Sequence, residues 1–237
     1  MNRPVKTIGH RGAAGLVPPG NTMASFGRAV GLGVDFIEFD VRRTSDDRLV
    51  CHHDPEIGGL TLSSLPFSDA RERTADLGYS LPLLTEVLEE FRGRTLFDIE
   101  IKETGYEPRI WAEIGTLLPD PGQYIVKSFE DPAVAWFAHN TPARAGLLLG
   151  REKPRSALLT RGTEIFPELR IARCGAAFVS PHFRLLQLGF VPRMHALKKD
   201  VYVWTVNDPA VMRDLIRNGV DGLISDRPDL ALVEVGR

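Results

Sequence analysis

The sequence has few cysteines, no long apolar run and no excess of one charge. Cys51 and Cys174 are its two cysteines, and a reducing compartment explains such isolated thiols at least as well as a disulfide does. No apolar stretch approaches the ~20 residues that a membrane-spanning helix needs. The charged N-terminal residues 1–6 lead into a candidate strand and show no apolar core of a secretory signal. We therefore expect a cytoplasmic protein without a membrane span.

The charge balance also limits the kind of partner. The formal net charge is −2 at pH 7, which offers no cationic surplus for a polyanion, so a nucleic-acid partner is not expected. Hydrophobic residues make up 43% of the chain and charged residues 25%, as is typical of globular proteins. The length of 237 residues is close to the roughly 250 residues of a compact (β/α)8 barrel.

Short apolar segments alternate with helical patterns along nearly the whole chain. The candidate strands are residues 5–10, 36–41, 49–53, 95–102, 124–128, 145–149, 176–180, 201–206 and 222–225. The candidate helices are residues 22–32, 83–91, 108–118, 132–139, 191–198 and 209–218. This alternation predicts parallel strands joined by helical crossovers.

Nine candidate strands are one more than an eight-stranded barrel holds. Segments 36–41 and 49–53 are too close in sequence for a parallel crossover, which needs about a dozen residues. We therefore predict that they form an antiparallel hairpin, and that the other strands complete a (β/α)8, TIM-type barrel in a single domain, 1–237.

Residues 58–80 are predicted to be a short, largely irregular loop. Arg42 is interpreted as a solvated loop charge.

Charged side chains share one face on two of the predicted strands. Glu38 and Asp40 alternate with apolar residues on one strand, and Asp98, Glu100 and Lys102 do so on another. Carboxylates pointing into a packed barrel cost several kcal/mol unless they are paired or bind a cation. Either a salt-bridge cluster or a hard divalent ion such as Mg²⁺ or Ca²⁺ satisfies this requirement. Their location toward the carboxyl ends of the strands, where such barrels carry active sites, favours the ion.

Histidines end two of the predicted strands near these carboxylates. His10 ends the first strand and precedes Arg11, while His52 and His53 end the returning strand of the hairpin. Imidazole suits acid–base chemistry at neutral pH, and arginine can hold two phosphate oxygens at once. Alternation places His52 and His53 on opposite faces, so one of the two lies in the site, and the pattern does not select which.

Several short motifs occur in a characteristic order. They are IGHRG (8–12), NT (21–22), IEFD (37–40), HDP (53–55), LPLLTEVL (81–88), IEIK (99–102), SF (128–129), VWTVN (203–207) and GVDGLISD (219–226). This order resembles that of the glycerophosphodiester phosphodiesterases, over residues 8–228. The resemblance implies the same barrel fold and hydrolysis of a small-molecule glycerophosphodiester to an alcohol and sn-glycerol 3-phosphate.

The resemblance also implies a role for individual residues. It selects His53, the histidine directly before Asp54, over His52, and we assign the base to His10 and the acid to His53. The implied metal ligands are Glu38, Asp40 and Glu100, with Mg²⁺ or Ca²⁺ as the ion and Mn²⁺ as a third candidate. The implied substrate contacts are Arg11 and Lys102 at the phosphate and Trp204 in the cleft.

One departure from the family motif leaves alternatives open. The family usually has Pro-Glu-Asn-Thr where this chain has Pro19-Gly20-Asn21-Thr22. Loss of an accessory acid predicts reduced turnover, and at the extreme a weakly active or non-catalytic phosphodiester-binding module. A further alternative is cleavage of lipid head groups in the manner of a lysophospholipase D. The short 58–80 segment replaces the larger insertion of some family members.

Overall fold

A computed structural model describes residues 4–151 and 157–237. Residues 1–3, which belong to the N-terminal segment considered above, lie outside the described residues. The strands are β1 (Lys6–Gly9), β2 (Phe36–Arg43), β3 (Leu49–Cys51), β4 (Glu56–Ile57), β5 (Leu60–Thr61), β6 (Leu96–Ile101), β7 (Tyr124–Ser128), β8 (Arg144–Leu149), β9 (Phe178–Pro181), β10 (Asp200–Val203) and β11 (Gly222–Ser225).

Eight of these strands close into a parallel barrel. The order around it is β1-β11-β10-β9-β8-β7-β6-β2, and β2 also pairs with β1, which completes the circle. Strand β3 adds to β2 in antiparallel fashion, with Val41 opposite Cys51. The predicted (β/α)8 barrel with a hairpin after its second strand is therefore confirmed.

Helices fill the crossovers between the strands. They are α1 (Met23–Leu32), α2 (Phe67–Asp76), α3 (Leu84–Phe91), α4 (Glu107–Leu117), α5 (Asp131–Asn140), α6 (Ala157–Ile165), α7 (Glu168–Cys174), α8 (Phe190–Ala196), α9 (Pro209–Arg217) and α10 (Pro228–Glu234). Proline occupies one of the first two positions of α4, α5, α9 and α10, where its missing N–H costs no hydrogen bond. All six predicted helices are present, with ends that shift by at most two residues. Helices α2, α6, α7 and α10 were not predicted.

The description of residues 58–80 as a largely irregular loop is wrong. The segment contains β5, a 3-10 turn at Leu62–Ser64 and the ten-residue helix α2. An apolar cluster orders it; its buried members are Val50, Ile57, Leu62, Leu65, Ala70 and Leu81. Helix α2 itself buries only Ala70 and Thr74, so its sequence lacks the apolar periodicity that marked the other helices.

The two faces of the barrel strands bury different side chains. Ile37, Phe39 and Val41 point outward into the large core shared with the helices. An apolar plug fills the barrel interior; its buried members are Ile8, Phe36, Ile125, Phe178, Tyr202 and Ile224. Gly146 makes room for it, since a Cβ there would lie 2.2 Å from the ring of Phe178.

In the described residues, no helix has the length and apolar character needed to cross a bilayer.

Candidate active site

Three carboxylates converge above the apolar plug, on two neighbouring strands. Glu38 and Asp40 lie on β2 and Glu100 on β6, in a register that places Asp40 directly beside Glu100. One oxygen from each lies within 4.8 Å of the others, and the residues are only 1%, 1% and 7% exposed. Buried oxygen donors at this spacing can hold a hard divalent cation, as the sequence predicted.

The loop after β1 holds two of these carboxylates in place. The backbone N–H of Arg11 donates to Glu38 Oε2 over 2.9 Å. Asn21 donates its Nδ2 to Asp40 Oδ2 over 2.7 Å and accepts from the Asp40 backbone N–H over 3.2 Å. Arg11 and Asn21 both adopt a left-handed backbone, with φ of 50° and 59°. This loop, although distant in sequence, therefore forms part of the carboxylate site.

Lys102 and Arg11 supply positive charge to the same carboxylates. Lys102 Nζ lies 2.6 Å from Glu100 Oε1 and 3.2 Å from Asp40 Oδ1, and Arg11 Nε lies 3.3 Å from Asp40 Oδ2. Burial opposes ionisation of Asp40, but the charges of Lys102 and Arg11 hold its pKa well below the usual range. Burial, reinforced by the charge of Asp40, raises the pKa of Glu100 to about 7. Asp40 is thus firmly ionised, whereas Glu100 exchanges a proton near neutral pH.

A buried ion pair lies beside the three carboxylates and was not predicted. Lys127 Nζ on β7 is 2.7 Å from Asp98 Oδ2 and 3.3 Å from Glu38 Oε1, with all three side chains at most 2% exposed. Burial raises the pKa of Asp98 to about 6 although Lys127 opposes the shift. Lys127, which follows apolar residues within the candidate strand 124–128, was the signal that could have revealed this pair.

The two predicted histidines line one cleft at the carboxyl ends of the barrel strands. Its volume is about 780 Å³. His10 Nδ1 lies 2.6 Å from Asp226 Oδ1, and His53 Nδ1 lies 2.7 Å from Asp54 Oδ1. Burial, which disfavours the charged imidazolium, lowers the pKa of His53. His52 instead approaches the backbone oxygen of Glu56, at 3.3 Å.

The remaining predicted substrate residues also face this cleft. Arg11, Lys102 and Trp204 line it together with Glu38 and Glu100, while Asp40 lies behind them. Trp204 donates Nε1–H to the Ser180 backbone oxygen over 2.8 Å and packs edge-on against Phe129, with ring centroids 5.7 Å apart. The cleft thus combines charged side chains with an aromatic wall formed by Trp204 and Phe129.

The interpretation of Arg42 as a solvated loop charge is wrong. Strand β2 continues to Arg43, so Arg42 keeps the inward alternation of Glu38 and Asp40 and is only 7% exposed. Its Nε–H donates to the backbone oxygen of His53 over 2.9 Å, and it pairs with Glu103. Arg42 therefore fixes the end of the hairpin that carries His53.

Gly20 occupies a position with no space for a side chain. A Cβ there would lie 2.6 Å from Arg11 Cβ and 2.9 Å from Ala14 Cβ. A glutamate at this position requires the loop to move. As the loop after β1 packs in this structure, it leaves no room for the glutamate of the Pro-Glu-Asn-Thr motif.

Comparisons with known proteins show the family and fold to which this chain is similar. The profile of the Glycerophosphoryl diester phosphodiesterase family matches residues 10–230. The YhdW protein of Bacillus subtilis is 30% identical over 95% of this chain and 96% of its own length. A glycerophosphodiester phosphodiesterase of the same organism is 27% identical over 95% of this chain and 85% of its own. A phosphodiesterase of Oleispira antarctica, solved with its product sn-glycerol-3-phosphate, has the same fold, with a TM-score of 0.80, 21% identity and coverage of 100% of this chain and 98% of that one.

Proposed function

Because the chain belongs to the glycerophosphoryl diester phosphodiesterase family, we propose that it hydrolyses glycerophosphodiesters to an alcohol and sn-glycerol 3-phosphate. The observation that carries this proposal is the buried carboxylate triad in a cleft lined by His10 and His53. Acid, base and metal-binding oxygens in one cleft are the groups that hydrolysis of a phosphodiester requires.

Glu38, Asp40 and Glu100 are the residues that would hold a divalent ion. Their oxygen donors fit Mg²⁺, Ca²⁺ or Mn²⁺, and the ionised state of Asp40 supports binding of a cation. When bound, the ion supplies Lewis-acid stabilisation of charge on the phosphoryl oxygens.

The other cleft residues bind the phosphate and move protons. Arg11 and Lys102 offset the negative charge that develops on the phosphoryl oxygens. His10 takes the proton of the attacking hydroxyl, and His53 gives a proton to the leaving alcohol oxygen. Trp204, on the aromatic wall, contacts the carbon atoms of the substrate.

The experiment that tests this proposal is an assay of sn-glycerol 3-phosphate release. Metal-stripped protein is given a panel of glycerophosphodiesters, first alone and then with Mg²⁺, Ca²⁺ or Mn²⁺, with Glu38→Ala as the control. We expect product only after an ion is added, and none from the variant. Folded wild-type protein that releases no product with any ion contradicts the proposal.

The same panel separates the alternatives. Faster turnover of lysophosphatidylcholine than of glycerophosphocholine indicates the lysophospholipase D reaction. Thermal stabilisation by millimolar glycerophosphodiester without any product indicates a binding module, because stabilisation grows as RT ln(1 + [L]/Kd).

A further inference from the structure

Asp226 lies at the cleft wall and has no role in the reaction described so far. It directly follows β11, and its Oδ1 is 2.6 Å from His10 Nδ1. The side chains of His10 and Asp226 are 15% and 28% exposed, so water competes weakly for this contact. Burial opposes ionisation of Asp226, but its hydrogen bond and charge contact with His10 lower its pKa. A carboxylate therefore faces the Nδ1 side of the imidazole.

Asn207 fixes the orientation of this carboxylate. Its Nδ2 donates to Asp226 Oδ2 over 2.7 Å. Its Oδ1 accepts from the Asp226 backbone N–H over 2.9 Å and from Ser225 Oγ over 3.0 Å. Both oxygens of Asp226 are thus engaged, one by His10 and one by Asn207, and rotation of the carboxylate breaks a hydrogen bond on either side.

The second histidine has a weaker arrangement. Its partner Asp54 is the next residue in the chain and its side chain is 70% exposed, whereas Asp226 is separated from His10 by 216 positions in the sequence. A long-range, doubly held carboxylate is suited to fix one ring orientation, and the geometry of His53 and Asp54 lacks this second support among the described residues.

We propose that Asp226 is the positioning residue for His10, held in turn by Asn207; this inference rests on the proposed function. Asp226 accepts the Nδ1–H of neutral His10, which leaves Nε2 unprotonated and directed into the cleft. The proton of the attacking hydroxyl then moves to Nε2 as its oxygen bonds to phosphorus, while the bond from phosphorus to the alcohol oxygen breaks and that oxygen takes a proton from His53. The resulting imidazolium is stabilised by Asp226, which itself remains ionised.

The kinetic test compares Asp226→Asn, Asp226→Ala and Asn207→Ala in the metal-loaded enzyme. We expect Asp226→Ala to lower kcat at least ~100-fold, as loss of an oriented base does, with KM changed less than about threefold. Asn207→Ala is expected to give a smaller loss in the same direction. In Asp226→Asn the acidic limb of the pH profile moves to lower pH, because a neutral partner stabilises the imidazolium less.

A double-mutant cycle separates positioning from a general structural effect. If Asp226 acts through His10, adding Asp226→Ala to His10→Ala lowers kcat no further than His10→Ala alone. A further loss equal to that of Asp226→Ala in the wild type overturns the proposal. So does a kcat for Asp226→Ala within about threefold of wild type.

The ring nitrogens of His10 provide a readout that does not depend on turnover. In ¹⁵N NMR spectra of the Mg²⁺-loaded protein we expect the Nδ1–H form of His10 in the wild type, and a shift toward the Nε2–H form in Asp226→Ala. An unchanged form in Asp226→Ala refutes the positioning role even if the protein is inactive. The expected shift in a protein without turnover retains the positioning role and rejects only the proposed function.

Discussion

Single histidines provide the sharpest test of the cleft. We expect His10→Ala and His53→Ala each to lower kcat at least ~100-fold, since each removes one partner of acid–base catalysis. His52→Ala is the matched control, because His52 neighbours His53 in sequence but approaches the Glu56 backbone. Steady-state release of sn-glycerol 3-phosphate measures all three. Near-normal turnover in either cleft variant rejects the assigned roles.

A single methyl group is also informative at position 20. Because a Cβ at Gly20 meets Arg11 Cβ at 2.6 Å, Gly20→Ala should destabilise the protein by about 1–3 kcal/mol, as overpacking does. Gly31→Ala is the control: this glycine lies in α1 with open space around it, and alanine there should stabilise by about 0.5–1 kcal/mol. Urea unfolding measures both. Equal stability of the two variants contradicts the packing argument, and Gly20→Glu is then a simple restoration of the family motif.

At the residue scale, local alternation in the sequence predicts on which face of a strand a side chain lies. The convergence of Glu38, Asp40 and Glu100 follows from alternation, because a strand fixes which face each side chain takes. Alternation leaves His52 and His53 open, and the family resemblance selects His53. The prediction for Arg42 is wrong because the sequence pattern does not locate the end of β2, which continues to Arg43 and keeps Arg42 on an inward position. The partner of His10 depends on barrel closure, which brings residue 226 beside residue 10, and no local pattern contains that contact.

At the element scale, strands β6 and β7 share the buried Asp98–Lys127 pair. We expect Lys127→Met to cost about 3–5 kcal/mol at pH 8, because it leaves a buried carboxylate without its cation. Adding Asp98→Asn should restore part of this loss. Lys198→Met, which removes an exposed lysine, is the control and should stay within about 0.5 kcal/mol of wild type.

The pH dependence of that variant has a defined sign. The pKa of Asp98 is already raised to about 6, above its ordinary value of 3.8, and loss of Lys127 raises it further. The folded state then binds the proton more tightly than the unfolded chain, so protonation stabilises the fold at low pH and this contribution is lost as pH rises through the folded pKa. Unfolding experiments on metal-free protein should therefore show a smaller loss at pH 5.5 than at pH 8. The same loss at both values contradicts this account.

The segment between β3 and α3 depends on its own small core. Leu62 is 1% exposed within this cluster, whereas Leu77, in the same segment, is 59% exposed. Leu62→Ala should cost about 2–4 kcal/mol by leaving a cavity, and Leu77→Ala less than about 0.5 kcal/mol. Thermal unfolding compares the two, and a similar loss in both indicates that the segment contributes little to the cooperative fold.

An apolar stripe together with an initial proline made α4, α5 and α9 predictable, whereas α10 was not predicted although it also begins with proline. Helix α2 follows Pro66 but has no apolar stripe: it is mostly polar and is ordered by contacts from its flanks, including a hydrogen bond from the Phe67 backbone N–H to Asp46 Oδ1 at 2.9 Å. Its stability comes from residues outside the helix, so a pattern read within the helix cannot reveal it.

At the scale of the whole molecule, strand number and chain length were enough to predict a closed barrel. They were not enough to predict the exact register of the strands. The register determines which carboxylates meet: Asp40 lies beside Glu100 and Glu38 beside Asp98. Register follows from the packing of the whole interior, including the space that Gly146 leaves for Phe178. The carboxylate triad that we propose to bind the ion is therefore a property of the assembled barrel, and the raised pKa of Glu100 couples the stability of the whole molecule to pH.

This coupling gives the last prediction: a divalent ion should stabilise the protein more at pH 8 than at pH 5.5. The pKa of Glu100 is raised to about 7 from 4.5, so at pH 5.5 an ion must displace its proton. In the metal-free protein that protonation stabilises the fold, a contribution lost as pH rises through about 7.

Each pH unit below 7 weakens ion binding by up to tenfold, or about 1.4 kcal/mol. For a chain of this size, each kcal/mol of lost stabilisation lowers the melting temperature by roughly 2–4 °C. Thermal unfolding with and without Mg²⁺ or Ca²⁺ at the two pH values measures it, and Glu38→Ala should respond at neither. An equal shift at both values in the wild type means that the ion binds without Glu100, which removes one of the three proposed ligands.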